Sequence, residues 1–168
     1  METDNIKQNI RGLILHNIFE HKLFGLTTLW QDYMQRQILE DLPKEHWQLF
    51  EGVVNELIEE GILELTDSPH LRVTSKGQDL VFLDDHYTTD RLENTILTHL
   101  RERNFFVDTI WPRLTYMAYC EKELNTHQKY IFARTIDKMI DDGIFSCDSE
   151  YNLRLTQLGQ DKIYGKII

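Results

Sequence analysis

The segment Leu71-Arg72-Val73-Thr74-Ser75-Lys76-Gly77-Gln78-Asp79 occurs again in similar form 82 residues later, as Leu153-Arg154-Leu155-Thr156-Gln157-Leu158-Gly159-Gln160-Asp161. The same offset relates Glu60-Gly61-Ile62 to Asp142-Gly143-Ile144. Two copies of this length fill almost all of the 168 residues. A repeat of this length is typical of a small domain used twice. We therefore predict a duplicated domain whose two copies align without a gap.

The 82-residue offset also pairs similar residues elsewhere in the copies. The pairs are Phe24 with Phe106, Thr27 with Thr109, Leu42 with Leu124 and Phe50 with Phe132. Each copy, at about 80 residues, is within the size range that folds alone, but only marginally. Hydrophobic residues make up 41% of the chain, which is enough for a packed core in each copy. We expect the clustered aromatic residues, such as Trp30, Tyr33, Phe106 and Trp111, to lie mostly in these cores.

Hydrophobic periodicity predicts the same order of elements in both copies: helix, short extended segment, helix, helix, β-hairpin and a last short helix. The third helix is the clearest; its apolar face in the first copy consists of Trp47, Phe50, Val53, Val54, Leu57 and Ile58. Gly61 and Gly143 follow the third helices, where a left-handed residue is common. Thr74 and Thr156 are predicted N-caps of the last helices. The predicted fold class is mainly α, of the α+β type.

The domain boundaries follow from the repeat and from one capping signal. We predict a first domain at residues 1–83, a linker at 84–89 and a second domain at 90–168. Asp90 and Glu93 have the spacing of a capping box, which predicts that the opening helix of the second copy begins at Asp90.

The chain resembles the winged helix-turn-helix superfamily. The residues that carry the resemblance are Glu59-Glu60-Gly61-Ile62-Leu63, Leu71–Gly77 and their counterparts in the second copy. The Leu-x-x-Thr-x-x-Gly string after the hairpin is similar to that of many bacterial winged-helix regulators. The resemblance covers both copies and implies two tandem winged helix-turn-helix domains. It does not select one family, because the superfamily includes repressors, replication initiators and acidic tandem-winged accessory subunits of chromosome-condensing complexes.

The resemblance implies that the third helix enters the DNA major groove and that the hairpin lies over the backbone. In the second copy these elements carry Gln128, Lys129, Tyr130, Arg134, Lys138, Tyr151, Asn152 and Arg154. We predict that these residues bind double-stranded DNA. The alternative is that the cations only balance nearby acids of a solvated helix, namely Asp137, Asp141 and Asp142.

The hairpin arginines are expected to differ between the copies. Glu64 lies across from Arg72 on the neighbouring strand, so we predict a cross-strand ion pair there. Ser146 takes the place of Glu64 in the second copy, which leaves Arg154 freer to bind a phosphate.

The first copy carries most of the negative charge. Residues 1–82 contain 7 Lys and Arg against 14 Asp and Glu, which gives a net charge of −7. Residues 83–168 contain 11 Lys and Arg against 14 Asp and Glu, which gives −3, and the two halves sum to the net charge of −10. The third helix of the first copy offers Glu45, Gln48, Glu51, Asn55 and Glu56. Such a surface repels phosphate. The alternative function is therefore an acidic protein-interaction adaptor, accessory subunit or DNA mimic that uses these residues to bind a partner.

A DNA-binding transcriptional regulator is the first functional expectation, and the adaptor is the second. The expected partner is double-stranded DNA or a protein, and a homodimer is left open. The sequence has no catalytic triad spacing, glycine-rich phosphate loop or paired zinc motif, so we expect no enzyme activity, cofactor or metal. No apolar run approaches the length of a membrane span, and we expect a cytoplasmic protein. Cys120 and Cys147 are expected to be buried thiols.

Overall fold

The computed structural model describes residues 1–165, which divide between Leu83 and Asp84 into two compact units, unit 1 and unit 2. Each unit is mainly helical and contains a small antiparallel sheet, so the predicted α+β class is confirmed. Within residues 1–165, no helix is both long and apolar enough to span a lipid bilayer.

Both units follow the order of elements predicted from periodicity. Unit 1 consists of α1 (Glu2–Glu20), β1 (Leu29–Trp30), α2 (Asp32–Asp41), a 3₁₀ turn (Lys44–His46), α3 (Trp47–Glu59), β2 (Leu63–Leu65), β3 (Leu71–Val73) and α4 (Ser75–Phe82). The described part of unit 2 consists of α5 (Thr89–Glu102), β4 (Ile110–Trp111), α6 (Arg113–Glu123), α7 (Thr126–Asp141), β5 (Phe145–Cys147), β6 (Leu153–Leu155) and α8 (Gln157–Tyr164).

Each sheet has the second hairpin strand at its centre. In unit 1 the strand order is β1-β3-β2, and in unit 2 it is β4-β6-β5, with all pairs antiparallel. Successive side chains of a strand point to opposite faces. Leu71 and Val73 are therefore buried while Arg72 is exposed, and Arg154 is exposed in the same way on β6.

The core of each unit forms along one stripe of its opening helix. Ile10, Ile14 and Ile18 recur every four residues of α1 and are almost completely buried. Leu92, Ile96 and Leu100 do the same in α5. The stripe of α1 packs against α3, and that of α5 packs against α7. This spacing places apolar side chains on one helical face, so the third helix is held against the first by apolar burial.

A left-handed glycine ends α3 and α7, as predicted. Gly61 has φ 76° and Gly143 has φ 78°. The amide of Gly143 donates to the carbonyl of Ile140 at 3.0 Å, and the amide of Ile144 donates to that of Met139 at 2.9 Å. These two bonds form a Schellman motif, which turns the chain directly into the hairpin.

The repeated Thr-x-x-Gly string locks the last helix onto the third-helix turn. The Thr74 hydroxyl accepts a hydrogen bond from the Gly77 amide at 3.0 Å and donates to the Gly61 carbonyl at 2.5 Å. A Cβ on Gly77 would overlap the carbonyl oxygen of Ile62. The N-cap prediction is thus confirmed, and glycine is required because two backbones approach closely.

The prediction of a repeat without gaps is wrong between the first and second helices. The Val73 amide donates to the Thr28 carbonyl at 2.8 Å, and the Leu155 amide donates to the Thr109 carbonyl at 3.0 Å. Thr28, not Thr27, is therefore the equivalent of Thr109. The second copy has one residue fewer in this loop and regains it in α6, which is one residue longer than α2.

The predicted start of the second opening helix is also wrong. Thr88 is the N-cap of α5, and its hydroxyl accepts a hydrogen bond from the Arg91 amide at 3.3 Å. Asp90 lies inside the first turn instead. Thr89, placed in the linker by the sequence, belongs to the helix, and Asp84 and Tyr87 form an isolated β-bridge within the rest of that segment.

Not all of the residues expected in the cores are buried. Trp30 and Trp111 are inaccessible to solvent, whereas Tyr33 and Phe106 are about half exposed. The prediction that Cys147 is buried is wrong, because it points outward from the edge strand β5.

Candidate interaction surface

Lys138, a predicted DNA contact, lies in a network of carboxylates between α5 and α7. Its Nζ atom is 3.3 Å from Asp90, 3.7 Å from the buried Glu93 and 3.3 Å from Asp142. The hydrogen bonds that Lys138 donates to Asp90 and Asp142 raise the pKa of Lys138. The charge of Lys138 thus compensates acids of its own unit.

Unit 1 contains the same kind of interhelical ion pair with its polarity inverted. Lys7 of α1 lies 2.8 Å from Glu56 of α3, and Glu56 is the repeat equivalent of Lys138. Arg11 makes a bidentate pair with Glu60, with both distances 3.0 Å. The equivalent of Arg11 in unit 2 is the acid Glu93. The charge contrast between α3 and α7 at this position therefore arises from a packing contact.

The other predicted contacts on α7 are also engaged within unit 2. Only 12% of the Lys129 side chain is exposed, and its Nζ lies 3.4 Å from Glu121. Gln128 completes a capping box with Asn125 at the start of α7. Arg134 is exposed, and its guanidinium lies 5.0 Å from the centre of the Tyr130 ring.

Of the three hairpin residues predicted to contact DNA, Tyr151 and Asn152 form hydrogen bonds with the start of α6. The carbonyl of Tyr151, which has φ 64°, accepts a hydrogen bond from the Tyr116 hydroxyl at 2.6 Å. The side-chain oxygen of Asn152 accepts from the Arg113 amide at 3.0 Å. Asn152 therefore serves structure through its side chain and Tyr151 through its backbone, while the Tyr151 side chain stays exposed.

The two hairpin arginines differ as expected from their neighbours. Arg72 lies 3.6 Å from Glu64, so the predicted cross-strand ion pair is confirmed. Arg154 lies opposite Ser146, and its guanidinium makes a long 3.5 Å contact with the Asp108 carbonyl. Among the residues predicted to bind DNA, Arg154 is therefore the one with the weakest contacts within unit 2.

The outward face of α7 does not form a positive strip. Its exposed residues include Arg134 together with Asp137 and Asp141, one and two turns further along the helix. Phosphate binding depends on clustered Lys and Arg side chains. This mixture of charges gives α7 a weak basis for contact with DNA.

The outward face of α3 in unit 1 is uniformly acidic or neutral. Its exposed residues are Gln48, Glu51, Asn55 and Glu59, with Glu45 on the preceding 3₁₀ turn. Glu56, which was predicted with this set, is exposed but already pairs with Lys7. The structure thus keeps four of the five predicted partner-binding residues on one surface around the start and middle of α3.

A groove of about 360 Å³ lies beside this acidic face, between α2 and α3. Leu39, Trp47, Phe50 and Val54 form its apolar wall, and Gln35, Gln48 and Glu51 form its polar rim. The Trp47 indole N–H donates to the Leu39 carbonyl at 3.1 Å, which fixes the ring across the groove. Trp47 nevertheless remains 43% exposed. An apolar side chain thus stays open to solvent beside the acidic side chains of α3.

This groove is specific to unit 1. At the equivalent positions in unit 2, Lys129 replaces Trp47 and Glu121 replaces Leu39, and the two form an ion pair. Sequence reasoning missed the groove because it assigned Trp47 to the core face of the third helix. The sequence did contain a signal for the groove. At the 82-residue offset, the apolar pair Leu39 and Trp47 corresponds to the oppositely charged pair Glu121 and Lys129.

Comparison with known proteins supplies no relative for this chain. No family model, no curated protein and no solved structure matches it. Among residues 1–165, no group of three or more His, Cys, Asp or Glu side chains is arranged to hold a metal ion.

Proposed function

We propose that the chain is a tandem winged-helix protein that acts as an acidic protein-interaction adaptor. In this proposal unit 1 binds a basic amphipathic helix of a partner protein in the groove between α2 and α3. The winged-helix assignment is supported by the shared order of elements, the hairpin in each three-stranded sheet and the repeated Thr-x-x-Gly contact. A fold of this kind does not decide function, so the function rests on the surface.

The observation that carries the proposal is the apolar groove with an acidic rim. Trp47 and Leu39 offer an apolar wall to an anchor side chain, while Glu51 lies on the rim. Glu45 and Glu59 extend the negative charge on either side of the rim along the same part of the fold. A helix with apolar residues on one face and Lys or Arg beside them complements both features.

The first test uses a synthetic fluorescein-labelled amphipathic helix built from Leu and Lys as the probe. Glu51→Lys reverses a charge on the rim, and we expect it to weaken peptide binding about fivefold to tenfold, because one favourable pair becomes a repulsive one. Fluorescence anisotropy of the full chain measures the affinity. The peptide with the same composition in scrambled order, which lacks an apolar face, should bind weakly.

Glu150→Lys is the matched control for this change. It makes the same change in net charge on an exposed turn of unit 2, far in sequence from the groove. Equal losses of affinity for Glu51→Lys and Glu150→Lys would mean that peptide binding follows net charge alone, and the groove would then be rejected as the site.

DNA binding by unit 2 is the second candidate, and Arg154 is the observation that favours it. Arg154 has no carboxylate opposite it on β5, and Arg134 is exposed on α7. A titration with random-sequence duplex DNA at increasing salt tests this candidate, since phosphate contacts weaken steeply with salt. If unit 2 binds DNA, Arg134→Glu with Arg154→Glu should abolish the salt-sensitive binding. Absence of such binding by the wild type at low ionic strength would reject it.

A further inference from the structure

A second cavity, unrelated to the groove in unit 1, lies in unit 2 between the end of α5 and α6. Its volume is about 420 Å³. Four aromatic side chains line it, namely His99, Phe105, Trp111 and Tyr119. This volume falls in the range of cavities that take small molecules.

The aromatic rings are held in place by contacts with one another. The His99 and Tyr119 rings lie 4.1 Å apart, and the Trp111 and Tyr119 rings lie 5.5 Å apart. Phe105 meets Trp111 edge-on at 6.3 Å. Trp111 is 1% exposed and anchors the set in the core. His99 and Phe105 are partly exposed, so their rings form the accessible part of the aromatic wall, onto which a planar ring can pack.

The equivalent region of unit 1 is polar. Asn17 occupies the position of His99, and its side-chain oxygen accepts a hydrogen bond from the Trp30 indole at 2.9 Å. Asn17 also donates to Gln37 at 3.3 Å, and His21 contacts Gln37 at 2.9 Å. Unit 1 therefore uses this place for internal hydrogen bonds. The aromatic lining belongs to unit 2 alone.

The charged residues of the cavity favour an anion. Arg103 and Lys122 line it, and neither makes a salt bridge with another residue in the described 1–165 range. Glu123 is the one acid among its lining residues, so the lining carries a net positive charge within a protein of net charge −10. A guanidinium can bind a carboxylate through two parallel hydrogen bonds.

The polar atoms of the aromatic wall stay uncharged near neutral pH. Burial, followed by the nearby Arg103 charge, lowers the pKa of His99. Burial, with a smaller contribution from Glu123, raises the pKa of Tyr119 to about 12. A neutral imidazole and a protonated phenol can hydrogen-bond to a ligand without repelling its ring.

We propose that this cavity binds a planar aromatic carboxylate. The ring packs against His99 and Phe105, and the carboxylate points toward Arg103 and Lys122. This site is independent of the groove of unit 1 and adds a small-molecule ligand to the proposed function.

Naphthalene-2-carboxylate is the probe for the test, and naphthalene-2-carboxamide is its neutral counterpart. Isothermal titration of the full chain should give saturable binding at one site, with the carboxylate bound more tightly than the amide. The double variant Arg103→Gln and Lys122→Gln should weaken carboxylate binding about tenfold or more and leave amide binding almost unchanged, because only the charge-assisted bonds are lost. Both residues are exposed, so the fold should be retained.

Two further variants make the test decisive. Arg101→Gln removes a cation from the last turn of α5, two residues before Arg103 and outside the cavity lining, and it should leave carboxylate affinity unchanged. Ala118→Phe places a ring in the cavity and should abolish binding of both probes. Lack of saturable binding by the wild type, or equal losses for Arg101→Gln and for the double variant, would overturn the proposal. So would unchanged affinity in Ala118→Phe.

Discussion

Four glycines hold positions at which a side chain would disturb the backbone. Gly61 and Gly143 have φ near 77°, within the left-handed region that costs other residues energy. Gly77 and Gly159 have ordinary backbone angles, but a Cβ on either would overlap the carbonyl oxygen of the residue after the helix-ending glycine. The two pairs therefore impose different requirements, one on backbone conformation and the other on space.

Gly143→Val should destabilise unit 2 by about 1 kcal/mol or more, because valine is poorly accommodated at positive φ. Thermal unfolding followed by circular dichroism measures the effect. Gly52→Ala is the control, since Gly52 lies inside α3 with no atom near its missing Cβ. That change should stabilise by about 0.5 to 1 kcal/mol. An unchanged melting temperature for Gly143→Val would contradict the role given to the left-handed turn.

At the scale of elements, the first and third helices of each unit are joined by ion pairs of opposite polarity. In unit 1 the cations Lys7 and Arg11 lie on α1, whereas in unit 2 the cation Lys138 lies on α7. Glu93 is buried beside Lys138, and one of its oxygens has no hydrogen-bond partner among residues 1–165. The electrostatic compensation of Glu93 therefore depends on its two lysines, Lys138 and Lys162.

Lys138→Glu should lower the melting temperature of the protein, because it places a fourth carboxylate beside Asp90, Glu93 and Asp142 and leaves Glu93 poorly compensated. Differential scanning calorimetry measures the change. Adding Glu93→Arg restores an ion pair of the polarity found in unit 1, so the double variant should be more stable than Lys138→Glu alone. A double variant less stable than either single variant would show that polarity does not matter here.

The sequence predicted the order of elements well because each signal was local. Hydrophobic spacing, the helix-ending glycines and the threonine N-caps each depend on a few neighbouring residues. The loop shift that pairs Thr28 with Thr109 was missed. The second copy lacks one residue in this loop but has one more in the next helix, so the 82-residue offset is the same before the loop and after that helix. The partners of Lys138 were missed for a different reason. They lie on another helix, and helix periodicity alone does not identify them.

Across the whole molecule, the two units have the same order of elements and different surfaces. Unit 1 has an apolar groove with an acidic rim, and unit 2 has an ion pair in its place and an aromatic cavity elsewhere. The prediction of eight DNA contacts in unit 2 relied on residue type at polar helix positions. Several of these side chains have partners within the fold, and this could be learned only from tertiary contacts.

Transplanting the ion pair of unit 2 into unit 1 shows whether the groove of unit 1 binds a basic amphipathic helix. The double variant Leu39→Glu and Trp47→Lys copies Glu121 and Lys129, an arrangement that this fold already accommodates. We expect an unchanged circular dichroism spectrum and a loss of affinity for the Leu and Lys peptide of about tenfold or more, measured by anisotropy on the full chain. The matched change in unit 2, Glu121→Leu with Lys129→Trp, should not weaken binding. Full peptide affinity in the folded Leu39→Glu and Trp47→Lys variant would contradict the account.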